Sequence, residues 1–183
     1  MDQLRNLLVK DLQDLLHAEM QLVQALPKMA EAATNPKLKE VFDKHLVQTE
    51  GHVKRLNSAF EILGVKAQPK ACKGMKGLIE EGEETIEENE ENEEGDELAA
   101  DLALIGTAQK VEHYEISGYG TARCLARQIG EREVHALLSR TLGEEESSDY
   151  LLTELSKPLL QDASLVNNSS ARPAPAAKKS QRA

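Results

Sequence analysis

Apolar residues recur every three to four positions through four long segments of this chain, and that spacing predicts amphipathic helices. The four segments cover residues 2–33, 35–64, 96–129 and 131–157. Asn35-Pro36 is a capping residue followed by a helix-starting proline, and Gly64 and Gly130 are typical of residues just after a helix. Pro158 is expected to stop the fourth helix, because proline cannot donate the next backbone hydrogen bond.

The connection between the second and third helices, residues 65–95, is too long for a bare loop in a compact domain. Its apolar positions predict a short extra helix: Met75, Leu78, Ile79, Gly82 and Ile86. Residues 87–95 are low in complexity and are expected to be mobile. Two short-loop hairpins joined by such a crossover predict an all-α, ferritin-like four-helix bundle. An up-down bundle with a decorated middle loop is the alternative, which the length of the crossover disfavours.

The 183 residues are expected to form one domain over residues 1–160, followed by a tail over residues 161–183. The tail loses the helical periodicity and becomes basic and rich in proline and alanine, which is typical of disorder. We expect it mainly to keep the protein in solution.

The net charge of −10 is concentrated in the crossover, where no Lys or Arg lies between Lys76 and Lys110. Such a run is most often a solvated face, with attraction of cations to a nearby site as the sharper interpretation. It argues against specific nucleic-acid binding. No apolar run reaches the ~20 residues of a membrane span, and the N-terminus resembles no signal peptide. Two cysteines, Cys72 and Cys124, fit a reducing compartment, so we expect a cytoplasmic protein.

Polar side chains interrupt the apolar stripe of each long helix at a similar depth. Glu19 lies in the first stripe, His52 in the second, Glu112 in the third and Glu145 in the fourth. These residues lie 15 to 18 positions from the nearest turn, or roughly 20–28 Å along the bundle. Four helices therefore direct ligating atoms at one layer. Glu50, which a motif search would select, is predicted by the periodicity to face solvent.

Several carboxylates in one apolar layer require a positive partner, because their desolvation is costly. No lysine falls on these stripes at that depth, and protonated carboxyl pairs would be expensive in such number. A pair of metal ions requires fewer assumptions, and oxygen ligands with imidazole suit iron or manganese. The predicted metal ligands are Glu19, His52, Glu112, Glu115, Glu145 and Asp149. The residues expected to support them are Gln48, His45, His113 and Tyr119.

Several segments of the chain, over roughly residues 3–157, resemble the YciE/YciF family of ferritin-like bacterial stress proteins, which are distantly related to rubrerythrins. The segments that carry the resemblance are residues 18–22, 45–49, 72–81, 108–116 and 141–146. The segment around Val111-Glu112-His113-Tyr114-Glu115-Ile116 is the most specific of them. The resemblance implies a four-helix bundle with a dinuclear metal centre, a homodimer and a role in stress.

The chain departs from the family pattern at positions 48 and 52. The pattern that the resemblance implies has Glu at position 48 and Gln or His at position 52, whereas this chain has Gln48 and His52. The ferritin Glu-x-x-His spacing is also absent, since Ser148 follows Glu145 at that distance; Asp149 is the expected substitute. These departures leave the second metal ion and its bridging mode open.

These observations support two alternative hypotheses for the function of the protein. The first is a diiron or mixed iron–manganese redox protein that consumes peroxide or oxidises Fe(II) with oxygen or peroxide. The second is a non-enzymatic bundle with a vestigial or structural site, which acts through partner binding, for instance at the acidic crossover. Storage in a ferritin-like shell is disfavoured because nothing in the sequence indicates such an assembly.

Overall fold

A computed structural model describes residues 2–91 and 96–170. Within these residues the chain forms five α-helices and no strand. Their bounds are α1 Asp2–Ala32, α2 Pro36–Ile62, α3 Lys73–Glu91, α4 Glu97–Gln128 and α5 Arg132–Ser170. None of them is both long and apolar enough to cross a membrane.

The helix ends follow the local signals in the sequence. The side chain of Asn35 caps α2 by accepting from the backbone N–H groups of Lys37 and Leu38, and Pro36 is the first helical residue. Gly64 and Gly130 have φ values of 64° and 85°, the left-handed conformation that glycine adopts most readily after a helix. The predicted turns at these positions are therefore confirmed.

The four long helices form a bundle in which α1 packs against α2 and α4, while α5 packs against α2 and α4. The end of α1 meets the start of α4, because Asp101 accepts from the backbone N–H groups of Thr34 and Asn35 at 2.9 and 2.8 Å. The crossover therefore returns along the bundle before α4 begins. This is the ferritin-like connection, and the up-down alternative is wrong.

The extra helix α3 covers the groove between α1 and α4. Met75 is buried in the same core as Leu22 and Leu26 of α1, and the partly buried Leu78, Ile79 and Ile86 pack against that core. The helix is longer than expected, because residues 87–91, which we predicted to be mobile, continue it. The remainder of that low-complexity stretch, residues 92–95, lies outside the described residues.

The predicted end of the fourth helix at Lys157 is wrong, because α5 continues through Pro158 to Ser170. A proline inside a helix costs roughly 3 kcal/mol. Burial of Leu159, which is 6% exposed and belongs to the same core as Leu152, offsets part of that cost. The predicted tail beyond residue 170 lies outside the described residues.

Candidate metal centre

Acidic and imidazole side chains from all four long helices meet inside the bundle. Glu19 comes from α1, His52 from α2, Glu112 and Glu115 from α4, and Glu145 from α5. Each of them is at most 3% exposed. The layer predicted from the sequence is therefore present, and Glu115, predicted at the edge of its stripe, is fully buried.

The ligating atoms form two overlapping groups, in each of which they lie within 4.8 Å of one another. The first group contains Glu19, His52 and Glu145. The second contains His45, Glu112, Glu115 and Glu145. Glu145 belongs to both groups, so one carboxylate lies between two candidate ion positions.

Distances within these groups match those between ligands of a common ion. His52 Nδ1 lies 2.8 Å from Glu145 Oε1 and 3.3 Å from Glu19 Oε1, and His45 Nε2 lies 3.3 Å from Glu112 Oε1. Neighbouring ligands at about 2.1 Å from an octahedral ion lie about 3 Å apart. His52 Nδ1 and Glu145 Oε1 nevertheless make no aligned hydrogen bond, so their contact is electrostatic.

Most polar atoms of the cluster lack a hydrogen-bond partner. Among the described residues, Thr49 Oγ1 is the one fully buried side-chain oxygen or nitrogen in this condition that lies outside the cluster. The others are Glu19 Oε2, His45 Nε2, His52 Nδ1, Glu112 Oε2 and both carboxylate oxygens of Glu115 and Glu145. Unpaired buried groups are costly and rare in native proteins. Metal cations fit this donor set of carboxylates and imidazoles, and oxygen-rich ligation suits iron or manganese.

Burial changes the acidity of the carboxyl groups. It raises the pKa of Glu112 and Glu115 well above the ordinary value of 4.5, and repulsion from neighbouring carboxylates, including Glu145, raises both further. Burial also raises the pKa of Glu145, which His52 partly opposes, to about 7. Without a metal ion, protons must therefore replace part of the missing positive charge.

The two imidazoles respond in opposite directions. Burial lowers the pKa of His45 to about 4, and His52 adds to the decrease. Burial also lowers the pKa of His52, but the carboxylates of Glu145 and Glu19 outweigh it and raise the pKa to about 10. In the absence of metal, His52 is thus the cation nearest the two carboxylates.

The second ring nitrogen of each imidazole, which points away from the buried cluster, also has a polar partner. His52 Nε2 lies 3.0 Å from Glu144 Oε2, and His45 Nδ1 lies 2.9 Å from Ser148 Oγ. The guanidinium of Arg55 donates to Glu144 in turn. Metal-ligating histidines in proteins are usually oriented by such outer partners.

The structure places the remaining predicted residues around this centre. Asp149 lies outside both groups, since its Oδ1 accepts from Gln109 Nε2 at 2.9 Å and lies 3.4 Å from His113 Nε2. The side chain of His113 is 69% exposed. Tyr119 is fully buried and donates to Glu19. Gln48 is half-buried beside His45.

Periodicity alone gave an incomplete set of candidate ligands. His45 was expected only to support the site, but its Nε2 lies within one of the two groups. Glu144 and Arg55 were not selected, because neither lies on an apolar stripe. For Glu144 the sequence did contain one signal, the (i, i+4) spacing from Arg140. The two residues form an ion pair at 3.1 Å on α5.

A family model described as "Domain of unknown function (DUF892)" matches residues 3–165. The chain belongs to this family. Protein YciF of Escherichia coli strain K12 is 43% identical over 145 residues, which are 79% of this chain and 84% of YciF. The resemblance noted in the sequence is thus confirmed.

Solved structures of relatives have the same fold as this DUF892 member. The crystal structure of the E. coli stress protein YciF aligns with a TM-score of 0.81 at 41% identity, over 88% of this chain and 99% of that one. YcfI from Rhodopseudomonas palustris aligns with a TM-score of 0.77 at 37% identity, over 82% of this chain and 92% of that one. The predicted all-α, ferritin-like four-helix bundle is confirmed.

Proposed function

We propose that this chain is a dinuclear-metal carboxylate protein of the stress response, which consumes peroxide or oxidises Fe(II). Iron is the favoured metal and manganese the alternative. The observation that carries the proposal is the position of Glu145 in two ligand groups at once. A carboxylate shared by two groups is suited to bridge two ions.

The residues of the chain would divide the work of holding the ions. Glu19 and His52 would bind one ion, and His45, Glu112 and Glu115 the other, with Glu145 between them. Asp149 remains a candidate only if its contact with Gln109 breaks. Bound iron would supply redox chemistry towards peroxide or oxygen. Because the carboxyl groups have raised pKa values, they can exchange protons for metal charge.

A narrow crevice beside the centre limits the size of the oxidant. It is lined by apolar side chains, among them Met29 and Phe42, and reaches His45 and Glu112. Its volume of about 10 Å³ admits no more than a water-sized molecule. Such a crevice excludes a large organic substrate, which supports an oxidant as small as peroxide or dioxygen.

Neighbouring glutamates on α5 allow a matched test of activity. Glu145 is fully buried in the centre, and Glu146 is exposed. Protein loaded with Fe(II) under anaerobic conditions is mixed with peroxide or oxygen, and oxidant consumption and Fe(II) oxidation are followed. We expect turnover in the wild type and in Glu146→Gln, and its loss in Glu145→Gln. Equal rates in all three proteins, no faster than free Fe(II), would contradict the proposal.

A non-enzymatic role is the second candidate, and Gln48 favours it. The family pattern has a glutamate at this position, whereas Gln48 supplies a neutral amide beside His45. A weaker second ion position would leave a structural site and a role in partner binding. In that case Glu112→Ala changes the stability of the protein and leaves oxidant consumption at the level of the wild type.

The biological setting of the proposal comes from the relatives. The E. coli relative is described as a stress protein, and both cysteines of this chain are free, as in a reducing cytoplasm. The family resemblance also implies a homodimer, which light scattering on the purified protein tests directly.

A further inference from the structure

The outer face of His52 is in contact with a carboxylate that lies outside the buried cluster. His52 is fully buried, whereas the side chain of Glu144 is 23% exposed. The 3.0 Å contact joins His52 Nε2 to Glu144 Oε2. The other ring nitrogen, Nδ1, faces Glu19 and Glu145. The ring of His52 therefore connects the centre to a residue near the surface.

Two arginines hold Glu144 in place. Arg55 on α2 donates to Glu144 and, at 2.9 Å, to Thr141 Oγ1, so it fixes the seam between α2 and α5. Arg140 donates to the second carboxylate oxygen at 3.1 Å. These cations balance the charge of Glu144, so its carboxylate orients the imidazole without adding uncompensated negative charge to the layer.

A metal ion requires a free lone pair on the nitrogen that it binds. When Nε2–H donates to a carboxylate, the proton of the neutral ring is fixed on Nε2 and Nδ1 is left free. We propose that Glu144, held by Arg55, is a positioning residue that fixes the orientation and tautomer of His52 for a metal ion bound at Nδ1. The inference rests on the proposed function.

His45 offers an internal comparison, because its outer partner is neutral. Its Nδ1 lies 2.9 Å from the hydroxyl of Ser148, which can donate or accept and so does not fix the tautomer. A carboxylate can only accept from the ring, and it does so more strongly than a neutral group. The ion bound by His52 should consequently depend more on its outer partner than the ion bound by His45.

Metal affinity and the position of the ring proton test this inference together. Co(II) is titrated into metal-free wild type, Glu144→Ala, Glu144→Gln and the control Glu146→Ala, and binding is followed by visible absorption. The Zn(II)-loaded proteins are examined by ¹⁵N NMR of the histidine rings. We expect Glu144→Ala to weaken the more sensitive Co(II) site about 10–100-fold and to lose the Nε2–H signal of His52.

Glu144→Gln, which keeps an oxygen acceptor, should lose less affinity than Glu144→Ala, and Glu146→Ala should match the wild type. Wild-type Co(II) affinity and an unchanged Nε2–H signal in Glu144→Ala would overturn the positioning role while leaving the proposed function intact. Absence of Co(II) and Fe(II) binding in the wild type would overturn the proposed function itself.

Discussion

The phenol of Tyr119 on α4 donates a hydrogen bond to Glu19 Oε1 on α1, and both side chains are fully buried. The bond occupies one oxygen of the carboxylate and leaves Oε2 without a partner. Burial raises the pKa of Tyr119 well above its ordinary value, and the carboxylates of Glu19 and Glu115 raise it further, so the phenol remains a donor. Tyr119 therefore orients Glu19 towards the cluster.

Removal of this donor should destabilise the metal-free protein. In Tyr119→Phe the carboxylate of Glu19 loses its one aligned donor, which should lower the free energy of unfolding by about 1–3 kcal/mol. Tyr150→Phe is the matched control, because Tyr150 is 62% exposed. Urea unfolding of both variants at pH 7 with a chelator measures the difference. Equal stabilities would show that the bond contributes nothing.

The stability of the metal-free protein should fall as the pH rises from about 5 to 8. Glu112, Glu115 and Glu145 have folded pKa values above 4.5, so the folded state binds more protons than the unfolded state over that range. His52, raised from 6.5 to about 10, acts in the same direction above pH 6.5. His45, lowered to about 4, acts oppositely below pH 6.5, but three carboxyl groups outweigh one imidazole.

Urea unfolding at several pH values, with and without Mn(II), measures this dependence. The metal-free protein should lose at least about 1 kcal/mol between pH 5 and 8. Mn(II) should stabilise more at pH 8 than at pH 5, since binding requires deprotonated ligands. A metal-free protein whose stability rises over this range would show that the buried carboxyl groups do not titrate as described.

A pair of glycines in α3 tests how the crossover is attached. A Cβ at Gly74 would lie 2.6 Å from Cε2 of Tyr114, whose hydroxyl contacts Cys72 Sγ at 2.9 Å and Asp14 Oδ2 at 3.0 Å. Gly74→Ala should therefore displace the ring and cost about 1–3 kcal/mol. Gly77→Ala, with no atom within 4 Å of the new Cβ, should stabilise by about 0.5–1 kcal/mol. Thermal unfolding of the two variants should shift in opposite directions.

Sequence reasoning located the centre because helix geometry links position in the chain to depth and direction. Counting residues from the turns placed Glu19, Glu112 and Glu145 at one level, where the structure has them. The helical period also selected His52 over Glu50, and Glu50 is exposed. Both results depend on regular helices alone, which the sequence specifies well.

The contacts between helices were harder to predict. Asp149 follows Glu145 by four residues on the same face, but it lies about 6 Å further along the axis, where Gln109 binds it. Glu144 lies about 100° around the helix from Glu145, off the apolar stripe. It instead reaches His52 across the seam between α2 and α5. Such contacts depend on how the helices pack, which periodicity does not record.

The extent of α5 was also underestimated, for an energetic reason. Proline is locally unfavourable in a helix, so Pro158 indicated an end. The buried Leu159 lies one residue further on, and its packing in the core offsets part of the cost of the proline. Tertiary contacts of this kind are not visible to a rule that considers the proline alone.

Elemental analysis shows whether the buried carboxylates and imidazoles bind metal in the cell. The wild type, Glu112→Ala and the exposed-site control Glu50→Ala are produced with iron and manganese supplied, purified without chelator, and measured by elemental analysis. We expect about two ions per chain in the wild type and in Glu50→Ala, and a clear loss in Glu112→Ala. Folded wild-type protein that contains no iron or manganese and takes up neither on titration would contradict it.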